Sequence, residues 1–448
     1  MRFARVLTVA AVAALTGSGL AVAPKAVAQT APVQIEFWHG LTQPLGAMLE
    51  QIAADFNTTQ KQYQINASFK GQYPEVMTAA IAAFRAGNAP SIVQMFEVGT
   101  ATMMAAKGAV KPVYELMQES GLPFDPNAYV PAVKGYYSTP DGKMLSMPFN
   151  SSTTIMFYNK DAFAKAGLDP EKPPLTWPET IEAAKKLKAA GIACPMTSSW
   201  PTWAQMENFG AIHNVPFASK EDGFAGMDAE LTFNGPVFVK QIQNLIDMQK
   251  AGLFKYGGRD SAGDAFFASG ECAMTHASSG LRARILKEAT YKWGAAPLPY
   301  WPDVKDAPKN SILGGASFWV LKSPKRTADE YKGVAAFFNY ISQPEIAAKW
   351  SKDTGYVPVT TAAFELIKKE GYYEKNPGAD VAYLQMTRTP PTENSKGLRL
   401  GNLPEIRNIL QEELEKAFQG QQDAKQALDA AVQRGNVVLR NFERANKS

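Results

Sequence analysis

The residues of this chain best suited to chemistry are hydrogen-bonding groups rather than reactive ones. Four stretches stand out: Asn150-Ser151-Ser152-Thr153-Thr154, Trp200-Pro201-Thr202-Trp203, Ser278-Ser279-Gly280 and Gly314-Gly315. Ser278-Ser279-Gly280 precedes a predicted helix over Leu281–Glu288, where free backbone N–H groups suit an oxyanion. Gly314-Gly315 lets a backbone N–H come close to a ligand. Asn402-Leu403-Pro404-Glu405-Ile406-Arg407 reads as an N-cap and first turn, which would project Arg407 from a fixed base. A guanidinium held there suits two phosphate oxygens at once; the other reading is a surface pair with nearby Glu405 or Gln411. Trp38-His39, Tyr73 and Glu97 fall at or just past expected strand ends.

Reactive motifs are missing from the sequence. It holds no GxGxxG, no P-loop, no HExxH and no GxSxG. His39, His213 and His276 are scattered without ligand spacing, so neither a metal nor another cofactor is expected. Cys194 and Cys272 lack the spacing of a metal or redox motif. They either pair, as an oxidising compartment allows, or stay apart as small buried hydrophobes.

The elements that must position these groups alternate. Gln34–Phe37 reads as a strand, Leu45–Phe56 as an amphipathic helix and Tyr63–Phe69 as a second strand. A turn at Gly71–Glu75 opens a helix through Phe84, and Ser91–Phe96 is a third strand. This order predicts an open α/β sheet with ligands off the carboxyl ends of its strands. In Leu145–Phe163 an apolar start pauses at the polar run 150–154 and resumes as a strand, Ile155–Tyr158. That stretch is expected to cross between two lobes, with the polar run in the cleft. Thr176-Trp177-Pro178-Glu179 is a capping box opening a helix to about Ala190. Trp293–Leu298 is expected to cross back towards the first lobe.

The chain of 448 residues is too long for one core. Residues 1–28 read as a signal peptide, with Arg2 and Arg5 ahead of an apolar run and Ala26-Val27-Ala28 as the cleavage site. Losing Arg2, Arg5 and Lys25 takes the formal charge from +4 to +1. That balance gives no electrostatic case for nucleic acid or an anionic membrane. A monomer exported to the periplasm is expected.

The segments Phe37–Gly40, Ala82–Ala105, Pro148–Pro170, Ala277–Gly280, Gly314–Val320, Thr354–Thr360, Tyr372–Asp380 and Lys396–Arg407 resemble the periplasmic sn-glycerol-3-phosphate-binding proteins of ABC importers. These form a branch of the extracellular solute-binding proteins, family 1, to which maltose-binding protein also belongs. The resemblance covers essentially the whole chain after the leader. It implies a two-lobed α/β fold, the type II or maltose-binding-protein-like kind, with a hinge and an interlobe cleft. The expected lobes are discontinuous: 29–150 with 296–340, and 151–295 with 341–448.

The resemblance also implies a site. Ser152, Ser278, the Gly315 backbone, Tyr356 and Arg407 would hold a phosphate. Tyr73 and Glu97 would face glycerol hydroxyls, and Trp200 and Trp203 would form an aromatic wall. Glu97 must lie at the polyol end, because a carboxylate repels phosphate. The implied function is capture of sn-glycerol 3-phosphate or a glycerophosphodiester for a membrane permease and its ATPase. Flat indoles would also attract a choline ammonium, which makes glycerophosphocholine a second ligand. Competing readings are a sugar or polyol receptor of the same fold and an exported glycerophosphodiester hydrolase. The latter would want Asp/Glu/His metal clusters.

Overall fold

The computed structural model describes residues 31–106, 108–139 and 141–447. The expected signal peptide lies outside them. Two sheets organise the chain. The first holds β1 (Val33–His39), β2 (Tyr63–Phe69), β3 (Ile92–Phe96), β4 (Val110–Lys111), β5 (Met147–Ser152) and β11 (Gly314–Leu321). Its order is β2-β1-β3-β11-β4, with β5 also on β11. The second holds β6 (Thr154–Asn159), β7 (Cys194–Ser198), β8 (Phe254–Tyr256), β9 (Cys272–Ser278) and β10 (Trp293–Ala296), in the order β10-β6-β9-β7-β8.

The first three strands are parallel and joined by the expected helices, now Leu45–Thr59 and Tyr73–Arg85. Parallel neighbours end on the same side of a sheet, so the loops after β1 and β3 share one rim. β11 runs antiparallel to β3, which brings its first residues, Gly314 and Gly315, to that same rim. Phe318 of β11 locks the arrangement. Its ring lies 4.7 Å from Phe37 of β1 and 4.6 Å from Phe149 of β5, and Phe149 lies 4.6 Å from Trp350. All four rings are buried, each contributing roughly 1.5–3 kcal/mol.

The chain passes between the sheets at Thr153 and again between β10 and β11, and only helices follow β11. Three local expectations need correction. The polar run at 150–154 is not a loop. Asn150, Ser151 and Ser152 complete β5, Thr154 begins β6, and Thr153 alone breaks the strand. The polar side chains tolerate burial because the opposing sheet and cleft supply partners: Thr153 Oγ1 donates to Ile312 O at 2.8 Å. Trp293–Ala296 does not cross back, since β10 pairs with β6 in the second sheet. Asn402 does not cap the helix Leu403–Phe418 through its side chain; it takes a left-handed φ of 50° and its side chain bonds no helix N–H. The capping box at Thr176 and Glu179 is present, opening Trp177–Ala189.

Cys194 and Cys272 form a disulfide. They are register partners at the starts of parallel neighbours β7 and β9.

Candidate functional site

One cavity of about 100 Å³, partly open to solvent, lies between the two sheets. Tyr73, Glu97, Ser152, Trp200, Trp203, Ser278, Gly315, Tyr356 and Arg407 all line it.

One end is built of neutral donors at strand ends. Ser152 closes β5 opposite Gly314 of β11, and Ser278 closes β9 opposite Thr154 of β6. The crossover at Thr153 joins the two, because Ser279 N donates to Thr153 O at 3.0 Å. Val357 N donates to Ser151 O at 2.8 Å, which brings Tyr356 to the same place. Gly315 has φ +90°, and a Cβ there would lie 1.8 Å from Asn150 O, so only glycine fits. A Cβ on Gly314 would meet Trp203 Cζ2 at 2.0 Å. The missing side chain is what lets the indole lie against β11.

The tyrosine hydroxyls face this end as neutral groups. Burial pushes Tyr356 up to about 12, and pushes Tyr73 well above its ordinary range. A hydrogen-bond chain orients Tyr73. Gly40 N donates to Gln94 Oε1 at 2.9 Å, Gln94 Nε2 to Asn150 Oδ1 at 2.8 Å, and Asn150 Nδ2 to the Tyr73 hydroxyl at 2.8 Å. The Tyr73 oxygen accepts from Asn150, and its hydroxyl turns towards that of Tyr356.

The other end is charged, and its partners differ from those expected. Arg407 makes no surface pair with Glu405 or Gln411. It is buried, and donates from Nε and Nη2 to the two oxygens of Glu207 at 2.6 and 2.7 Å. Nη2 also donates to Glu97 Oε1 at 2.7 Å. Burial alone would lower Arg407; the two glutamates outweigh it and hold the guanidinium firmly protonated. Glu97 is raised above the usual carboxylate range by burial and by the charge of Glu207, against the pull of Arg407. Glu97 and Arg407 thus stand at one end of the cavity, not at opposite ends. Arg407 is already paired with two carboxylates.

Glu207 was not anticipated. It ends a π-helical turn, Trp203–Glu207, that begins with Trp203. One irregular turn therefore sets both the indole wall and the second carboxylate. Glu97 follows β3 directly, and its carbonyl accepts from the Tyr136 hydroxyl at 3.0 Å. The same hydroxyl donates to Leu398 O at 2.7 Å, and Arg399 Nη2 donates to Tyr136 O at 2.8 Å. The Lys396–Arg407 segment thereby fastens the backbone that carries Glu97. Trp200 lies 6.3 Å from the Tyr73 ring, which stacks at 5.5 Å on Phe96.

The lining also includes Gly40–Leu45 and Gln72 on one side, and Ser261, Asp264, Leu281 and Arg284 on the other. Asp264 accepts from Ser199 Oγ at 2.5 Å, and burial raises it to about 6. The histidines take structural places. His39 bonds Glu50, His213 bonds Phe209 O and Trp301 N, and His276 bonds Gln205. Among the described residues no cluster of His, Cys, Asp and Glu could hold a metal ion. None of the described helices is long and apolar enough to cross a membrane.

Two sheets facing each other across a cleft lined by backbone and side-chain donors define a solute-binding protein. The chain belongs to the bacterial extracellular solute-binding protein family, whose model matches residues 51–380. It is 50% identical over 436 residues to the sn-glycerol-3-phosphate-binding periplasmic protein UgpB of Salmonella paratyphi A, covering 97% of each chain. It is also 50% identical to the protein of that name from Escherichia coli K12, over 96% of this chain and 97% of that one. Among solved structures, UgpB from Mycobacterium tuberculosis in complex with glycerophosphocholine superposes with a TM-score of 0.74 at 23% identity, covering 91% of this chain and 98% of that one. The GacH receptor of Streptomyces glaucescens superposes at 0.75 and 16% identity, covering 91% and 99%. These two share the fold, a maltose-binding-protein-like arrangement of two lobes.

Proposed function

We propose that this chain is the periplasmic receptor of an ABC importer, capturing sn-glycerol 3-phosphate and glycerophosphodiesters and passing them to a membrane permease. One observation carries the reading: a single cavity joins a cluster of neutral donors to a carboxylate–guanidinium cluster, with the indoles of Trp200 and Trp203 in the same lining. The phosphate goes to the donors Ser152, Ser278, Gly315 N–H, Tyr73 and Tyr356. There each oxygen finds an N–H or O–H, so desolvation of the anion is compensated bond by bond. The glycerol hydroxyls go to Glu97, which accepts from them, and to Arg407 Nη1, which neither glutamate engages. This assignment moves Arg407 from the phosphate end to the polyol end, and Tyr73 from the polyol end to the phosphate end. The flat faces of Trp200 and Trp203 cover the C–H side of the ligand.

Because the groups come from both sheets, a ligand touching all of them favours the closed arrangement by its differential affinity. The relatives named as glycerol-3-phosphate-binding proteins support the ligand class. The chain is proposed to work as a monomer without a cofactor and without catalysis, after loss of residues 1–28. Calorimetric titration with sn-glycerol 3-phosphate, glycerophosphocholine and maltose tests it. One-to-one binding of a phosphate ligand and no heat with maltose are expected. Maltose binding with silent phosphates would make the chain a sugar receptor. Recovery of intact ligand after overnight incubation with divalent metal is also expected.

A further inference from the structure

The pairing of Arg407 leaves the phosphate without a counter-charge. Neutral donors satisfy its hydrogen bonds but do not balance one or two negative charges. Glu97 and Glu207 together more than cancel Arg407, so that end of the cavity offers no surplus positive charge. Asp264 adds another acidic group to the lining.

Among the described residues that line the cavity, the basic ones are Arg407 and Arg284. Arg284 lies in the helix Arg282–Glu288, which follows Ser278 through the turn Ser279–Leu281. It shares the wall with Ser278, Gly280, Leu281 and Tyr356. Its Nε donates to Glu288 Oε2 at 2.9 Å, four residues on, which steadies the base of the fork. Neither Nη atom bonds any described residue. Its side chain is 34% exposed, so the charge reaches both the cleft and the solvent. The neighbouring Arg282 has a different job: it is buried, with its guanidinium over Trp293 and Tyr372 and a bond to Asn376. Taken alone, an exposed pair at this spacing on a helix is a surface decoration of little energetic weight. Its place on the cleft wall beside the neutral donors is what separates it from that reading.

We propose that Arg284, not Arg407, supplies the charge that recognises phosphate, and that it sets the preference between monoester and diester. The inference rests on the function proposed above. A dianionic monoester presents more charge and more free oxygens to a guanidinium than a diester does, so it gains more from one. Asp264 limits the effect, because an ionised carboxylate on the same wall repels the ligand.

The test is calorimetry on the full mature chain and on Arg284→Gln, Arg284→Lys and Glu288→Gln, with sn-glycerol 3-phosphate and glycerophosphocholine at two salt concentrations. Arg284→Gln should weaken the monoester about tenfold to thirtyfold and the diester about threefold, with the melting temperature unchanged. Arg284→Lys should restore much of the monoester affinity, because it keeps the charge. Glu288→Gln removes the outer partner while keeping the cation, and should leave monoester binding as tight or tighter. Added salt should weaken the wild-type monoester complex more than that of Arg284→Gln. Equal losses for both ligands, or no loss for either, with a wild type that binds, would overturn the assignment of Arg284. A wild type that binds neither phosphate would instead overturn the function on which it rests.

Discussion

Arg407 spans the cleft to Glu97. Its Nη2 lies 2.7 Å from Glu97 Oε1, just past β3, while Glu207, at the end of the turn Trp203–Glu207, grips the same guanidinium. All three side chains are buried, so none can trade its partner for water. Arg407→Ala would leave two carboxylates facing each other without a cation. The expected cost is roughly 3–5 kcal/mol of stability. Binding should fall by a similar factor for monoester and diester, since the lost contact is to the glycerol. Chemical denaturation and calorimetry on the same preparation check both. A loss confined to the monoester would return Arg407 to the phosphate.

Glu97→Gln removes one charge and keeps one acceptor. It should cost less stability than Arg407→Ala and mainly blunt discrimination among polyol heads. Competition between sn-glycerol 3-phosphate and phosphates of other small alcohols measures this.

The two glycines at the head of β11 make different predictions. Gly314→Ala drives a methyl into Trp203, so the indole must swing away from the cleft wall. Affinity should drop at least tenfold with a changed tryptophan emission, while the fold survives. Gly315→Ala drives its methyl into the Asn150 carbonyl from a backbone at φ +90°. No flexible side chain can yield there, so this variant should lose stability as well as affinity. Thermal melts separate the two.

The disulfide should matter for stability and not for binding. Cys194 and Cys272 stand at the starts of β7 and β9, whereas Ser198 and Ser278, at the other ends of those strands, approach the cleft. The bridge closes a loop of 78 residues, for which the chain-entropy estimate is about 4.5 kcal/mol. Replacing both cysteines by serine should lower the denaturation midpoint accordingly and leave ligand affinity within a factor of two.

Asp264 should give the protein an acid-side stability gain. Its carboxyl is raised by burial from 3.8 to about 6. The folded state therefore binds more protons than the unfolded state between those values, and stability falls as pH rises from about 4 to about 6. The full difference is worth roughly 3 kcal/mol. Asp264→Asn should remove that slope and raise the midpoint at pH 7. Unchanged pH dependence would show that Asp264 is not the group responsible.

Much of the first sheet was legible because its physics is local. Tyr63–Phe69 alternates as a half-buried strand does, and Thr176 and Glu179 carry the capping pattern that their backbone bonds then use. The polar run at Asn150–Thr154 misled for a clear reason. It is buried strand, but its partners lie far along the chain, as Ile312 does for Thr153. Among site residues, the strand-end positions of Tyr73 and Glu97 followed from strand and helix order. Ser152 and Tyr356 needed the resemblance to relatives. Glu207 has no local signature within Trp203–Ile212, and its role exists only through Arg407, 200 residues away. Arg284 was hidden by Glu288, since the spacing alone reads as a solvated helix pair.

In the proposed orientation the ligand places its phosphate on the serine and glycine end and its glycerol on the Glu97 and Arg407 end. A crystal structure of the complex with sn-glycerol 3-phosphate tests it most directly. Phosphate oxygens are expected within hydrogen-bond distance of Ser152 Oγ, Ser278 Oγ and Gly315 N, and glycerol hydroxyls on Glu97. A phosphate seated against Arg407, with hydroxyls at the serines, would contradict it.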